Sequence, residues 1–270
     1  MKQTNKPYII AFDMDGTLLN DKKKICFRTL HYLRKLSRQG HKIVLASGRP
    51  SRALWQYYNK LHLKTPMICY NGAYLFSPHD KNFKPIEFQF PRNIIINCVE
   101  DLKEFILNVM CETETEIWVD KPDRYLAKFF WYQNMEIHVG ELKDTLKKDP
   151  MTCIIQTPVE YTDTSKIDQI VEKYPGIGAR FWTGSPYFEL YYKTTSKGAS
   201  LEKIEKYYNI PNERVIAFGD AENDVEMLSH AGISIAMKNG KESLKKYAKI
   251  VTSKDNNHNG IYDTLKKIIY

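Results

Sequence analysis

The chain has 270 residues, enough to bury a substantial core in one large domain or two smaller ones. Its 43% hydrophobic and 27% charged content is ordinary for a globular protein, and no apolar run approaches the ~20 residues that span a bilayer. A formal net charge of +8 comes from dispersed lysines, such as Lys22-Lys23-Lys24 and Lys147-Lys148, without a basic stripe interleaved with aromatics. This argues against nucleic acid as the main partner and is compatible with steering small anions toward a cleft.

In chain order, Tyr8-Ile9-Ile10-Ala11-Phe12 is a continuous apolar run, as expected of a strand buried on both faces of a parallel sheet. It is too short for the apolar segment of a signal peptide, so a cytoplasmic protein is expected. Cys26, Leu30, Leu33 and Leu36 then recur at helical spacing, with Gly40 as a stop. Lys42-Ile43-Val44-Leu45-Ala46 reads as a second strand, Pro50 suits the start of another helix, and Pro66-Met67-Ile68-Cys69-Tyr70 reads as a third strand.

The middle of the chain breaks this rhythm. Glu116-Ile117-Trp118-Val119 and Met151-Thr152-Cys153-Ile154-Ile155 have strand-like patterns, and Ile94 to Met110 reads as helical. In the last third a helix is expected from Lys197 to Tyr208, a strand at Val215-Ile216-Ala217-Phe218, a helix from Asp224 to Ala231, and a strand at Ile233 to Met237. Strand–helix alternation predicts an α/β fold with a doubly wound, mostly parallel Rossmann-like sheet formed by residues 1–84 and 191–270. Residues 85–190 are expected to form an inserted α+β domain. The cysteines (Cys26, Cys69, Cys98, Cys111 and Cys153) lack metal-site spacing and read as small buried apolar residues.

Chemistry concentrates where strands end. Asp13-Met14-Asp15-Gly16-Thr17 follows the first strand, and open α/β sheets bind ligands at the carboxyl ends of their strands. Of two acids spaced in this way, one can be a nucleophile and the other can exchange protons. Ser47-Gly48-Arg49 follows the second strand and offers a hydroxyl and backbone N–H groups to a phosphate. Lys197-Gly198 opens a helix and can neutralise a phosphoryl oxygen. Gly219-Asp220-Ala221-Glu222-Asn223-Asp224 ends another strand and adds the carboxylates that a hard cation such as Mg²⁺ requires.

These four segments, in this order, resemble the haloacid dehalogenase superfamily of phosphatases. The insertion after the third strand resembles the Cof-type branch with its cap, and Asn71-Gly72-Ala73, Met237-Lys238-Asn239-Gly240 and the Thr252–Ile261 segment are similar to that branch's loops. The resemblance implies Mg²⁺-dependent hydrolysis of small phosphomonoesters, with sugar phosphates favoured and a small phosphorylated metabolite as partner. Asp13 would be the nucleophile and Asp15 the acid/base. Asp13, Asp15 (through its carbonyl), Asp220 and Asp224 would serve the metal, and Ser47, Gly48, Lys197, Asn223 and Asn71 the phosphate or substrate. The inserted domain would close over the cleft, with Trp118, Arg124, Trp131, His138, Arg180 and Trp182 as candidates for substrate contact. Two other readings use the same residues: a phosphomutase moving phosphate within a sugar, and a phospho-ligand binding protein without turnover.

Overall fold

A computed structural model of the chain describes residues 6–129, 132, 134–158, 164–182 and 185–269. It divides into two compact units, one running through Ile86 and resuming at Ser196, the other Glu87–Thr195.

In the first unit, β1 (Ile9–Phe12), α1 (Phe27–Arg38), β2 (Lys42–Leu45) and α2 (Ser51–Leu61) alternate as expected. The third apolar run then forms β3 (Met67–Cys69), which pairs antiparallel with β4 (Tyr74–Phe76) in a small sheet completed by β5 (Ile86–Glu87). It meets the main sheet through a parallel bridge, Ala46 to Ile68, and a bond from the Ser47 N–H to the Ile68 carbonyl.

The second unit begins with α3 (Arg92–Leu102), β6 (Asn108–Glu112) and β7 (Glu116–Val119). Helix α3 is shorter than the apolar pattern over Ile94–Met110 suggests. The run Leu107–Met110 suits a buried strand as well as a helix, and pairing with partners on both sides makes β6 a strand. Helix α4 (Arg124–Phe129), β8 (Glu136–Val139), α5 (Leu142–Thr145), β9 (Thr152–Gln156), α6 (Ser165–Lys173), β10 (Ile177–Phe181) and β11 (Tyr187–Tyr192) follow. The strands form one sheet in the order β10-β11-β9-β6-β7-β8, antiparallel except for β7–β8. One face packs Val109, Trp118, Ile155 and Phe188 against Ile95 and Leu102 of α3 and Ile167 and Ile170 of α6. Cys98, Cys111 and Cys153 are buried free thiols in this layer.

The first unit resumes with α7 (Lys197–Tyr208), β12 (Val215–Gly219), α8 (Val225–His230), β13 (Ile233–Ala236), α9 (Glu242–Lys245), β14 (Ile250–Val251) and α10 (Gly260–Ile268). Its main sheet is parallel, in the order β14-β13-β12-β1-β2. Side chains alternate across a strand, so a centrally placed strand must be apolar at every position. Accordingly Ile9 and Ala11 pack with Val44, Val215 and Ala217 against Leu201 and Ile204 of α7 and Met227 and Leu228 of α8. Ile10, Phe12, Ile43, Leu45 and Phe218 are buried on the opposite side, and α1 lies against β2 and α10. Among the described residues, no helix is long and apolar enough to cross a membrane.

The register matters most for chemistry. Phe12 lies opposite both Leu45 and Phe218, and Gly219 lies opposite Ala236. The residues that follow, Asp13, Ala46-Ser47, Asp220 and Met237, therefore leave the sheet along one edge. Main-chain bonds continue the ladder beyond the strands, from the Asp13 N–H to the Phe218 carbonyl at 3.0 Å and from the Met237 N–H to the Gly219 carbonyl at 2.9 Å.

Candidate active site

Three carboxylates meet at this edge. Asp13, Asp220 and Asp224 each offer an oxygen, and these oxygens lie within 4.8 Å of one another. Asp13 follows β1 and Asp220 follows β12. Asp224 ends the 3-10 turn Glu222–Asp224, where the sequence alone suggested the start of the helix, and α8 proper begins at Val225.

Lys197 links them. Its Nζ donates to Asp13 Oδ1 at 2.5 Å and to Asp224 Oδ1 at 2.7 Å, and its side chain is 0% exposed. Most lysines are solvated; this one is delivered to the interior by the start of α7, where Ser196 caps the helix by accepting from the Ala199 N–H. Gly198 permits the approach, because a Cβ there would stand 2.5 Å from the Glu226 carbonyl oxygen. Asp224 is fully engaged, since its Oδ2 accepts from the N–H groups of Asp220 and Ala221 at 2.9 and 3.1 Å. Asp220 Oδ1 accepts from the buried Thr17 hydroxyl at 2.6 Å. Gly16 makes the turn over it: its φ is +86°, and a Cβ would fall 2.3 Å from Asp220 Oδ2.

The charges do not balance, because three carboxylates face one ammonium. Burial first, then the neighbouring Asp224 and Asp220, holds the Asp13 carboxyl well above the usual carboxylate range despite Lys197. Burial and Asp224 push Asp220 up to about 6. The pKa of Lys197 is raised as well, which in a lysine favours the charged form. Burial pulls it down, but Asp13 and Asp224 outweigh burial and hold it above the ordinary lysine range. A cluster of hard oxygen donors that retains protons for want of positive charge fits a divalent cation such as Mg²⁺.

This imbalance has a measurable consequence. A carboxyl whose folded pKa lies above its unfolded value binds more protons in the native state, so stability falls as pH rises between the two values. In the metal-free protein the melting temperature is expected to fall as pH rises from about 3.8 through about 6. Added Mg²⁺ at pH 7.5 is expected to restore it. Thermal melts across pH, with and without Mg²⁺, check both directions.

The Asp15 side chain is not part of the cluster. Arg49 grips it with Nε to Oδ2 at 2.7 Å and Nη2 to Oδ1 at 2.6 Å, and Lys23 Nζ reaches Oδ1 at 2.6 Å. Burial would raise its pKa, but Arg49 and Lys23 together pull it below the usual value. Any part it plays at the metal is thereby confined to its backbone carbonyl.

On the neighbouring side, Ser47 is buried, and its Oγ accepts from the Arg49 N–H at 3.1 Å, which leaves the hydroxyl hydrogen to donate. Gly48 lies against Asn71, since a Cβ would meet the amide nitrogen at 2.9 Å. Asn71, in the left-handed region at φ +53°, accepts from Asn223 Nδ2 at 2.9 Å. Ser47, Gly48, Asn71 and Asn223 thus form one polar wall.

Sequence reasoning gave no role to Arg49, Lys23, Thr17 or Asn239. Asn239 Nδ2 donates to the Gly16 carbonyl at 2.7 Å while its Oδ1 accepts from the Asn256 N–H, and Asn256 Nδ2 donates to the Leu19 carbonyl at 2.9 Å. The loops after β13 and β14 therefore brace the Gly16–Leu19 turn. Arg49 could have been singled out by its place directly after Ser47-Gly48; Lys23, inside a lysine triplet, carries no such signal.

Four of the six substrate-contact candidates make contacts within the second unit. Trp118 is buried and stacks on His138 at 5.4 Å, Arg180 pairs with Glu189 at 3.1 Å, and Trp182 packs beside Tyr187. Arg124 opens α4, and Trp131 lies outside the described residues. His138 also lies near Glu116 and Glu136, but Lys148 already pairs with Glu116 and offsets the charge of that group.

A model of the haloacid dehalogenase-like hydrolases matches residues 10–265. The chain is 33% identical over 266 residues to the 5-amino-6-(5-phospho-D-ribitylamino)uracil phosphatase YitU of Bacillus subtilis (strain 168), with 97% of each chain covered. It is 27% identical to the pyridoxal phosphate phosphatase YbhA of Escherichia coli (strain K12), covering 90% of this chain and 92% of that one. Among solved structures, a haloacid dehalogenase-like hydrolase from Bacteroides thetaiotaomicron superposes with a TM-score of 0.80 at 27% identity, covering 98% of this chain and all of the other. With a strand-edge acid cluster and a match along nearly its whole length, the chain belongs to the haloacid dehalogenase-like hydrolases, in their Cof-type branch.

Proposed function

We propose that the protein hydrolyses small phosphomonoesters with Mg²⁺ by passing the phosphoryl group through Asp13. The observation that carries this reading is the buried chain Asp13–Lys197–Asp224 beside Asp220, a carboxylate fixed at one oxygen by an ammonium and surrounded by metal-binding oxygens.

Asp13 attacks the phosphorus in line, forming an acyl phosphate as the ester oxygen departs. Asp15 gives that oxygen its proton and then takes one from the water that opens the acyl phosphate. The Ser47 hydroxyl, the Gly48 N–H, Asn223 and Lys197 hold the transferring oxygens. Asp13, the Asp15 carbonyl and Asp220 would hold the cation, with Asp224 fixing Lys197 and the Asp220 backbone. When bound, the ion offsets the repulsion between an anionic nucleophile and an anionic ester.

The relatives' names support a substrate class. A phosphoribityl compound and pyridoxal phosphate are both phosphate esters of a primary alcohol. Such alkoxides are poor leaving groups and need the acid that Asp15 supplies. We therefore favour primary-alcohol phosphates, sugar and polyol phosphates first and phosphorylated cofactors second. A phosphate-release screen over a panel of phosphomonoesters tests this. Turnover of primary alkyl phosphates is expected with Mg²⁺ and is expected to vanish reversibly in excess chelator; full activity in chelator, or none on any monoester, would contradict it.

A further inference from the structure

Asp13 and Asp220 reach the acid cluster from different strands, and the turn from Asp13 to Leu19 links them. It begins at Asp13, whose carbonyl accepts from the Leu18 N–H at 3.1 Å, and it clasps Asp220 through the Thr17 hydroxyl at 2.6 Å. The path of the turn therefore sets how the two carboxylates stand to one another. Gly16, at φ +86°, lies at its centre. A glycine allows the close approach to Asp220 that a Cβ would block, and it leaves the backbone equally free to drift away.

Two asparagines take up that freedom. Asn239, in the loop after β13, donates from Nδ2 to the Gly16 carbonyl at 2.7 Å. Asn256, in the loop after β14, donates from Nδ2 to the Leu19 carbonyl at 2.9 Å, so the turn is held at both ends. The Asn256 N–H donates to Asn239 Oδ1 at 3.1 Å and couples the two. The loop that carries Asn239 is itself anchored at Asp220. The Met237 N–H donates to the Gly219 carbonyl and the Lys241 N–H to the Asp220 carbonyl, both at 2.9 Å. The Lys238 N–H donates to Thr252 Oγ1 at 2.9 Å, and a Cβ on Gly240 would stand 3.0 Å from the Asp220 Cα.

We infer that Asn239 and Asn256 are positioning residues that set the affinity of the Asp13–Asp220 cluster for its divalent cation, by holding the Gly16–Leu19 turn at two carbonyls. For the identity of the cation this rests on the phosphatase reading above; it adds the residues that fix the spacing of the ligands. Mg²⁺ demands oxygens at a nearly constant distance of about 2.1 Å, so a cluster free to spread binds it less tightly. Losing an outer partner of a metal ligand typically lowers affinity about 10–100-fold. Asn239 is exposed, and water competes for its bond, which places it at the lower end of that range. Asn256 is buried, which places it higher.

Isothermal titration of the metal-free, full-length protein with Mg²⁺ measures this without substrate. The Kd for Mg²⁺ is expected to rise about tenfold in Asn239→Ala and by more in Asn256→Ala. Truncation at the exposed Asn239 should leave the metal-free melting temperature near that of wild type, so folding is not at stake. His258→Ala removes an exposed contact with Asp255 at 2.6 Å in the same loop as Asn256, but no bond to the turn. Its Kd should stay within about twofold of wild type. With p-nitrophenyl phosphate, saturating Mg²⁺ should return kcat of Asn239→Ala to within about threefold of wild type. An unchanged Kd in Asn239→Ala, or an equal rise in His258→Ala, would overturn the role of the two asparagines while leaving the phosphatase reading intact. A wild type that hydrolyses no monoester would remove that reading, and the titration would still decide the role of the asparagines.

Discussion

Replacing Asp13 by Asn is expected to reduce turnover of any phosphomonoester by at least about 10⁴-fold, because the amide cannot attack phosphorus. The same substitution should not harm the fold. Asp13 is one of three buried carboxylates answered by one lysine, and its proton is already held well into the range where a surface carboxyl would have lost it. The Asn amide oxygen can still accept from Lys197 Nζ. The metal-free variant is therefore expected to melt at or above the wild-type temperature at pH 7.5, and to gain less from Mg²⁺. Loss of activity together with unimpaired stability separates a nucleophile from a structural acid. Paired turnover and melting measurements read both.

Removing the ammonium should do the opposite to stability. Lys197→Met leaves Asp13 and Asp224 without their shared donor in a site where both are buried. Breaking one partner out of a buried ion network typically costs about 3–5 kcal/mol. A loss of that size is expected at pH 7.5 without metal, with turnover down by about 10²–10³-fold from the missing charge on the transferring oxygens. The pH dependence identifies the cause. Without the lysine Asp13 holds its proton to still higher pH, so the destabilisation should shrink as pH falls toward 5 and grow as it rises. A loss independent of pH would point to packing of the lysine stem instead. Denaturant melts at two pH values distinguish the cases.

Much of this site was legible before any coordinates. Asp13-Met14-Asp15-Gly16 directly after an apolar run, and Gly219-Asp220 after another, are strand-end signatures whose convergence follows once the strands pair in parallel register. The helix Lys197–Tyr208 was expected with its observed limits, but the burial of its first residue was not legible: a lysine reads as solvated until its partners are known. The limits of helix α3 were obscured because Leu107–Met110 satisfies two periods at once, and only sheet pairing decides between them. Trp118 and Arg180 offered themselves as ligand contacts by residue type; the ring stacking of the one and the ion pair of the other could not be read from the sequence. Lys23 was hidden for a different reason. Its contact with Asp15 comes with a left-handed backbone and a hydrogen bond from a tyrosine more than thirty positions away, and neither leaves a local trace.

The proposed hydrolysis stands on Asp13 as the residue that carries the phosphoryl group. Acid quenching of a single turnover, with a labelled phosphomonoester that the wild type hydrolyses, followed by peptide mapping, addresses this directly. The label is expected on the peptide that contains Asp13, in a linkage cleaved by hydroxylamine, and is expected to be absent in Asp13→Asn. Label on any other residue, or phosphate release by Asp13→Asn at the wild-type rate, would contradict it.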